Sequence, residues 1–417
     1  MMTQAFYTGI SGLRSSSTGI DVLSNNLANV STTGYRGYNT EFASLFEDVM
    51  NTGTGNSNSV GVGVRVQATS MVTAQGSLSL SDRSTDLAIQ GDGWFSITGG
   101  GDPLYTRDGS FNFDENSDLV TNDGFYVLGT MGNNIGPGDI LTKTLSEINL
   151  GDVGAQEKLR FPKTLTYPPE ATTEAKFLAN LGTGYDPITV GASVIDSTNQ
   201  RNHLRLEFIK NPVQNPPGSQ YTVKATTQSL DGLTVYDTVG GNVEFDSAGA
   251  LTLNTLGTIN NNGTQVAMDL GNGYDGIVSI DVPVVPGSSV ANGTIGGDLA
   301  GYSINRNAEV IATFTNGLQS SVGKVAIFHF QNEQGLSRAN GTHFHQSFNS
   351  GKAFFRTDGN GKAVNGTNVV NFRLENSNVE LSAGLTDLII YQRSFDANSK
   401  SITTADQMIQ KALDMDA

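Results

Sequence analysis

Three short segments carry residue types that could do chemistry, and the first is His343-Phe344-His345. Alternate residues of a strand point to the same side, so the two imidazoles could share one metal ion. The chain has only four histidines and no cysteine, and no clear third ligand stands out. We therefore interpret this segment as a polar strand or loop with an inward-facing Phe344.

An acidic run resembles the start of a calcium-binding loop at Asp114, Asn116 and Asp118. Such a loop needs a glycine at its sixth position and a bidentate glutamate at its twelfth. Leu119 and Phe125 stand at those positions. A hairpin turn explains the acidic run better.

A glycine-rich loop from Gly271 to Gly276 formally fits the GxGxxG pattern. A dinucleotide site needs that loop to open a helix, whereas the strand-like segment Ile277–Val285 follows here. The chain has no P-loop and no GxSxG elbow, and Asn-Gly-Thr triplets such as the one at Asn262 are foremost turn signals. Nothing in the sequence requires an enzyme, a metal or a cofactor.

Composition excludes two classes of partner. The net charge is −16, and no Lys or Arg occurs from Ala225 to Ile304, so the surface would repel nucleic acids and anionic membranes. No window approaches the roughly 20 apolar residues of a membrane span. The N-terminus lacks the basic and apolar regions of a Sec signal, so we expect neither membrane insertion nor a cleaved signal.

The elements that would position any site begin with an amphipathic helix in the first thirty residues. Its apolar side chains recur every seven residues, with others three or four residues on, which is typical of a coiled-coil seam. Gly9, Gly12 and Gly19 lower its intrinsic stability by about 1 kcal/mol each. The predicted seam consists of Phe6, Ile10, Leu13, Ile20, Leu23 and Leu27.

The last forty residues repeat this period more cleanly. Two such segments can bury each other's apolar stripes and so join the two ends of the chain. Two amphipathic helices on an ordinary core are the alternative, because four or five heptads are few for a coiled coil. The predicted second seam consists of Leu381, Leu385, Leu388, Phe395, Ile402 and Ile409.

Between the ends the period changes to two, which predicts strands. Gly61–Ser70 predicts one strand, Asp86–Ile97 predicts two strands around a Gly-Asp-Gly turn, and Leu104–Leu128 predicts an antiparallel meander. From about residue 149 to 298 the chain becomes rich in proline and Asn-Gly turns, with strands at Leu204–Ile209, Tyr221–Ala225 and Ile277–Val285. The earlier pattern resumes after Gly301, most clearly at Glu309–Phe314 and Val325–Phe330.

This order predicts a mainly β protein with α-helical termini that pair as a coiled coil and two antiparallel β domains, one nested inside the other. The predicted divisions are a terminal helical domain of residues 1–30 and 377–417, a connecting hairpin region of 31–75, a first β domain of 76–148 and 299–376, and an inserted outer β domain of 149–298.

Several segments together resemble the flagellar rod and hook protein family. They are Asn25–Arg36, Asp86–Phe95, Tyr105–Phe111, and a C-terminal element made of Glu375–Leu381 and Gln392–Lys400. These four matches occur in order and cover about the first 130 and last 115 residues. Within them the family signature comprises Asn25, Asn26, Ala28, Asn29, Gly34, Tyr35, Arg36, Gln392 and Arg393. The asparagines can hydrogen-bond where a helix ends, and Gly34 suits a left-handed turn.

The resemblance implies a structural subunit that is exported unfolded, without a cleaved Sec signal, through the flagellar type III apparatus. Rod members of the family are much shorter and lack a large insertion, so residues 149–298 favour a hook member, which polymerises outside the cell into a curved, hollow universal joint. The implied partners are further copies of the chain and the rod, hook-cap and hook–filament junction proteins. Phe42 and Phe46 are similar to the family's export element, although the same spacing also fits a helical apolar pair.

Two departures from the family stand out: Gly384 near the start of the second helix, and the acidic end Asp414-Met415-Asp416-Ala417. The alternatives are a distal rod or hook-associated subunit, a secreted β-rich adhesin, and an extracellular hydrolase. Since neither terminal segment has the propensity to fold alone, we expect the first 30 and last 40 residues to be disordered in the monomer and helical in the polymer.

Overall fold

A computed structural model of the chain describes residues 2–46, 61–214, 217–285 and 287–415. Across them the chain is mainly β, with one long α-helix near each end. This confirms the prediction of a mainly β protein with helical termini. None of the helices in this described part is long and apolar enough to cross a membrane.

The two helices are α1, Met2–Ala28, and α2, Leu381–Asp414. The first ends in a turn in which Asn29 N donates to Asn25 O at 3.2 Å. Gly384, the glycine that departs from the family pattern, lies inside the first turn of α2, and its N–H donates to Glu380 O at 2.9 Å. The helix therefore begins at Leu381, the last residue of the Glu375–Leu381 segment that carries the family resemblance.

Most of the remaining chain is strand. In the first part of the chain, β1 to β11 are Tyr38–Phe46, Gly61–Met71, Leu78–Leu80, Leu87–Gln90, Trp94–Thr98, Leu104–Thr106, Phe111–Phe113, Leu119–Thr121, Tyr126–Met131, Ile135–Gly136 and Ile140–Leu141. In the middle, β12 to β25 are Glu157–Lys158, Thr166–Tyr167, Glu174–Phe177, Ala179–Asn180, Ile188–Ile195, Arg201–Lys210, Ser219–Ser229, Val235–Phe245, Leu251–Asn254, Thr258–Asn261, Thr264–Asp269, Gly271–Asn272, Asp275–Val278 and Ser289–Ala291. After it, β26 to β35 are Gly297–Ile304, Glu309–Phe314, Gln319–Val325, Ile327–Phe328, Ser337–Asn340, His343–His345, Arg356–Thr357, Ala363–Val364, Asn368–Asn371 and Arg373–Glu375.

The first two strands form an antiparallel hairpin of their own. Its register runs from Tyr38 opposite Met71 to Phe46 opposite Gly61, with a bulge between Glu41 and Phe42. Phe42 and Phe46 therefore lie in a strand, and the helical interpretation of their spacing is wrong.

The largest sheet combines strands from both sides of the middle stretch. Its central order is β27-β28-β9-β5-β6-β31-β30, so β28 from late in the chain pairs with β9 from early in it. The core beneath it is built from fully buried apolar side chains, among them Phe95, Phe111, Val127 and Ile327. Segments far apart in sequence thus share one core.

Two predicted strand pairings differ in the structure. The strands on either side of Gly91–Gly93 do not form a hairpin: β4 pairs with β34, whereas β5 pairs with β6 and β9. Gly91 and Gly93 have φ of +117° and +120°, so the connection passes between sheets rather than making a two-residue hairpin turn. The meander is also incomplete, because β7, β8 and β9 follow one another but β6 pairs with β5 and β31 instead of β7.

Segment Val325–Phe330 is not one strand. It ends its pairing with β9 at Val325 and continues as the two-residue β29 beside β5, so the chain changes neighbours at Ala326.

The middle stretch has its own core. A five-stranded antiparallel sheet runs in the order β16-β17-β18-β19-β20. Along β17 buried Leu204, Leu206 and Phe208 alternate with more exposed residues, as the period of two predicts.

The predicted strand Ile277–Val285 is wrong beyond Val278, where β24 ends. Pro283 has no N–H to give to a ladder, and Val282 N instead donates to Ile280 O in a tight turn.

The three segments first considered for chemistry lie in a strand, a turn and a short hairpin. Phe344 in β31 is fully buried, with its ring 5.0 Å from Trp94, which confirms the inward phenylalanine. Ser117 N donates to Asp114 O in the predicted turn. Gly271 pairs with Gly276 in a short hairpin. No group of three His, Asp or Glu side chains within the described ranges is placed to hold a metal ion.

Candidate assembly site

The two terminal helices pack antiparallel along a line of small residues. A Cβ built on Gly9 would lie 2.7 Å from Ile402 Cγ1, and one built on Gly12 would lie 2.6 Å from Asn398 Nδ2. Between Gly12 and Gly19, Ser16 Oγ donates to Ser394 Oγ at 3.3 Å. Contacts this close require the absence of side chains, so these glycines set the distance between the helices.

The predicted apolar residues flank this line rather than forming it. Leu13 and Ile20 directly follow Gly12 and Gly19, which places them about 100° around the helix. Half-buried members of the predicted seams are Phe6, Leu13, Ile20, Leu23, Leu27, Leu388, Ile402 and Ile409. The exposed members are Ile10 at 38%, Leu381 at 50%, Leu385 at 44% and Phe395 at 38%.

Sequence reasoning missed the small-residue line, although its signal was present. Gly9, Gly12, Ser16 and Gly19 follow the three-and-four spacing of a heptad seam. Helix propensity treats the glycines only as a cost. In the structure they face α2, and a Cβ built on Gly9, Gly12 or Gly19 would lie within 3.2 Å of it.

The hairpin of β1 and β2 packs along another side of α1. Ser15 Oγ donates to Val64 O, and Ser11 Oγ accepts from Val64 N, each at 3.3 Å. The Phe42 ring lies 5.8 Å from that of Tyr391 in α2. Phe42, one of the two residues of the predicted export element, is therefore packed against the second helix, and the side chain of Phe46 lies outside the described residues.

At the end of α1 the signature asparagines fix the turn into the hairpin. Asn26 donates to Tyr38 O at 2.7 Å and accepts from Tyr38 N at 3.0 Å. Asn29 Nδ2 donates to Asn25 O at 2.9 Å. Gly34 has φ of +67°, and its N–H donates to Glu375 O at 2.7 Å. These bonds agree with the predicted role of the asparagines and the glycine, while Ala28 is simply exposed.

A buried ion cluster joins the segments that carry the family resemblance. Glu375 bonds Arg36 Nη2 at 3.0 Å through one carboxylate oxygen and Arg107 Nη1 at 3.2 Å through the other. All three side chains are almost completely buried. Both guanidinium carbons lie within 6 Å of the Trp94 ring centre, at 5.9 Å for Arg36 and 5.5 Å for Arg107. We call Arg36, Arg107, Glu375 and Trp94 the joint cluster.

The joint cluster carries two cations and one anion. Burial and, to a smaller extent, the neighbouring Arg107 lower the pKa of Arg36 to about 10, against the opposing effects of Glu375 and Glu333. Glu375 Oε1 also accepts from Gly76 N at 3.0 Å, and Arg107 donates to Gly91 O at 2.8 Å. The Gly91 carbonyl and the face of the Trp94 ring thus help to stabilise Arg107, the second cation.

Two further residues extend the joint. The Arg338 guanidinium stacks 4.6 Å from the Tyr35 ring centre and 4.9 Å from that of Tyr38. Asn378 accepts from Gly37 N and donates to Val72 O, each at 2.8 Å. The chain just before α2 is thereby tied to the chain just after α1. Gln392 and Arg393 do not join this cluster, because both are exposed on α2.

Three family models match the chain in order along its length. "Flagella basal body rod protein" matches residues 6–36, "Flagellar hook protein FlgE/F/G D1 domain" matches 88–164, and "Flagellar basal body rod FlgEFG protein C-terminal" matches 371–415. The first and last cover the two helices and their ends. The middle one covers strands of the largest sheet.

Curated relatives align over nearly the whole chain. The chain is 28% identical to the flagellar hook protein FlgE of Borreliella burgdorferi, over 98% of this chain and 99% of that protein. It is 27% identical to FlgE of Treponema pallidum and 26% identical to FlgE of Salmonella typhimurium, in both cases over 99% of this chain and all of the relative. The crystal structure of Helicobacter pylori flagellar hook protein FlgE2 matches with a TM-score of 0.56 at 16% identity, over 71% of this chain and all of that one, which supports the fold.

Proposed function

We propose that the chain is a structural subunit of the flagellar hook and that it polymerises through its terminal helices into a curved, hollow tube. The matches to hook and rod family models, and to hook proteins over 98–99% of the chain, support this assignment. The observation that carries this proposal is the exposed apolar surface of α2. Leu381, Leu385 and Phe395 face solvent in the single chain. Since 38–50% of each side chain is exposed in the single chain, burying the rest stabilises an interface by about 1 kcal/mol each.

Within one subunit, the proposed core is a short antiparallel coiled coil of α1 and α2. The small-residue line sets its spacing, and the half-buried predicted seams flank it. Packing against neighbouring copies would complete the burial of those seams. Because each terminal helix is unstable on its own, the folding of the two helices and the growth of the tube would occur together.

We propose that the two β units are nested, with the outer one inserted in the first. Leu159, Phe161, Leu165 and Tyr167 pack in the core of the largest sheet, which supports a start for the inserted unit near residue 170 rather than 149. Strand β13 pairs with β26 where the chain leaves and returns. In the tube, these units would supply side contacts that let it bend as a universal joint.

The proposed partners are the rod, hook-cap and hook–filament junction proteins, with export through the flagellar type III apparatus to the outside of the cell without a cleaved Sec signal. Phe42 and Phe46 remain our proposed export element. The rod and adhesin alternatives are not favoured, because hook proteins align over 98–99% of this chain. The family is a structural one rather than an enzyme family.

Electron microscopy of cells that lack the gene tests the function. We expect rods that end without hooks, and hooks restored when the intact gene is returned. Normal hooks in the deletion strain would contradict the proposal.

A further inference from the structure

A lysine, a glutamate and an asparagine lie side by side at one end of the largest sheet. Lys324 in β28 is directly opposite Glu309 in β27, and Asn305 follows the end of β26. Lys324 Nζ lies 3.5 Å from Glu309 Oε1, and Asn305 Nδ2 donates to Glu309 Oε2 at 2.9 Å. The two outer side chains therefore contact the two oxygens of one carboxylate. We call Asn305, Glu309 and Lys324 the bridge triad.

The amine and the carboxylate of the bridge triad are shielded from solvent. The side chains of Lys324 and Glu309 are 6% and 4% exposed. Ile148 adds backbone contacts on this side, because its O accepts from Lys324 Nζ at 3.3 Å and its N donates to Glu309 Oε1 at 3.2 Å. Exclusion of water favours a reaction between such neighbouring groups over competing hydrolysis.

The amide of Asn305 is held in a way that suits attack on its carbon. Its Oδ1 accepts from Asn307 N and from Glu309 N, each at 2.9 Å. Two backbone N–H groups at this distance can stabilise the oxyanion of a tetrahedral intermediate. Amide hydrolysis and transamidation both pass through such an intermediate, and here the nearby nucleophile is the amine of Lys324.

The strand spacing brings the two reacting side chains within reach of each other. Asn305 N donates to Glu309 O at 3.0 Å, so the two residues are neighbours across the turn, and Glu309 in turn faces Lys324. Two strand spacings separate the Asn305 and Lys324 backbones by about 10 Å. An extended lysine side chain and an asparagine side chain can together cover this distance.

We propose that Lys324 and Asn305 become joined by an isopeptide bond, with Glu309 as the catalytic residue. Nζ bonds to Asn305 Cγ, the Cγ–Nδ2 bond breaks, and Nδ2 leaves as ammonia. Glu309 accepts a proton from the lysine ammonium, which frees the nucleophile, and gives it to the departing nitrogen. The second proton that Nζ loses passes to water, so the carboxylate is regenerated.

The bond would fasten three neighbouring strands of one subunit, β26, β27 and β28. Because the bridge triad exists only when these strands are paired, the reaction would follow folding. Lys324 also lines a cavity of about 490 Å³ that can receive the ammonia. The bond lies within one chain and goes beyond the proposed function, which concerns contacts between copies.

Mass spectrometry of the full-length folded chain tests the bond. We expect a mass lower than that of the sequence by one molecule of ammonia. Trypsin cuts after Arg306, which separates Asn305 from Lys324 unless the bond joins them, and we expect the two peptides to remain joined. A succinimide at an Asn-Gly pair also releases ammonia, but it joins no peptides. An unreduced mass, or a reduced mass with the two peptides separate, would overturn the inference and leave the proposed function standing.

Variants of the bridge triad test the role of each group. Glu309→Gln keeps both reacting side chains but removes the proton acceptor, so the joined fraction at equal times after folding should fall by about tenfold or more. Lys324→Arg should abolish the bond, because a guanidinium stays protonated. Lys352→Arg makes the same change at an exposed lysine and should leave the joined fraction unchanged. Peptides joined as completely in Glu309→Gln as in the unaltered chain would contradict the role of Glu309, and the unaltered chain decides whether the bond exists even if a variant fails to fold.

Discussion

Arg36 and Glu375 form a buried ion pair that joins the chain just after the first helix to the chain just before the last one. Their atoms Nη2 and Oε1 are 3.0 Å apart, and the side chains are 1% and 2% exposed. With Arg107 and Trp94 they make the joint cluster, which fixes where both helices leave the β sheet. The cluster therefore connects the β sheet to the two terminal helices.

Replacing Glu375 with Gln should destabilise this cluster strongly. Two arginines would remain buried with no anion between them, and breaking a buried pair costs about 3–5 kcal/mol. Trp94 is the only tryptophan in the chain, so its fluorescence during denaturant unfolding reports on the cluster. Glu380→Gln, on an exposed side chain nearby, should change the free energy of unfolding by less than about 0.5 kcal/mol. Equal effects of the two variants would show that the ion pair contributes little.

Gly9→Ala should weaken the polymer although alanine favours helix. The new Cβ would lie 2.7 Å from Ile402 Cγ1, and overpacking costs about 1–3 kcal/mol, against about 1 kcal/mol gained in helix propensity. Gly384→Ala is the control, since its Cβ would meet Leu27 Cδ1 at an ordinary 3.8 Å. Thermal melting of the polymers should move down for Gly9→Ala and up for Gly384→Ala. A rise for both would mean that the helices do not meet closely at Gly9.

Leu385→Asp should inhibit polymerisation without unfolding the subunit. Leu385 is 44% exposed in the single chain, so losing the burial of the rest costs about 1 kcal/mol, and placing the new carboxylate in an apolar contact adds to this cost. Together these effects should raise the critical concentration tenfold or more. Sedimentation of the polymer at several protein concentrations measures this value. Leu233→Asp makes the same change at an exposed leucine of the middle stretch and should leave it almost unaltered. A larger rise in critical concentration for Leu233→Asp than for Leu385→Asp would place the main contacts outside the terminal helices.

Subunit stability should fall as the pH drops below about 6.5, and His329 is one cause. Burial lowers the pKa of this imidazole from 6.5, Arg356 lowers it further, and a hydrogen bond to Asn365 O together with Asp92 and Glu333 opposes the shift. The unfolded chain then binds more protons than the folded one. Stability is therefore full above pH 6.5 and decreases as the pH falls from there toward the lowered pKa.

Unfolding curves measured from pH 7.5 to pH 5 test this effect. His329→Gln should flatten the loss of stability, although burial also lowers the pKa of His343 and leaves part of it. His345→Gln alters an exposed side chain and serves as the matched control. A pH dependence unchanged by His329→Gln would rule out this histidine as a cause.

Periodic spacing explains how much of the fold was predictable. Leu381, Leu388 and Ile402 predicted a helix because helical neighbours recur at these intervals, and alternation predicted β17 in the same way. Strand partners were less predictable. The choice of β34 rather than β5 as the partner of β4 depends on a segment more than 270 residues away, which local turn residues such as Gly91 cannot specify.

The site was predictable only where local chemistry decides it. Asn26 and Gly34 have the residue types of a helix end, and both act there. The joint cluster could not be foreseen, because Arg107 and Glu375 have residue types that are normally exposed, and only their distant partners permit burial. The spacing of the small-residue line is visible in the sequence. Its role in close helix packing depends on contact with α2, which the sequence of α1 alone does not show.

The central claim, that this hook subunit folds its ends as it polymerises, is tested most directly by hydrogen exchange of residues 2–28 and 381–414. The rates are measured in dilute free subunit and in polymer, with the strands of the largest sheet as an internal reference. We predict fast exchange of both helices in the free subunit, slow exchange in the polymer, and slow exchange of the sheet in both. Terminal helices that are equally protected in the dilute subunit would contradict the account.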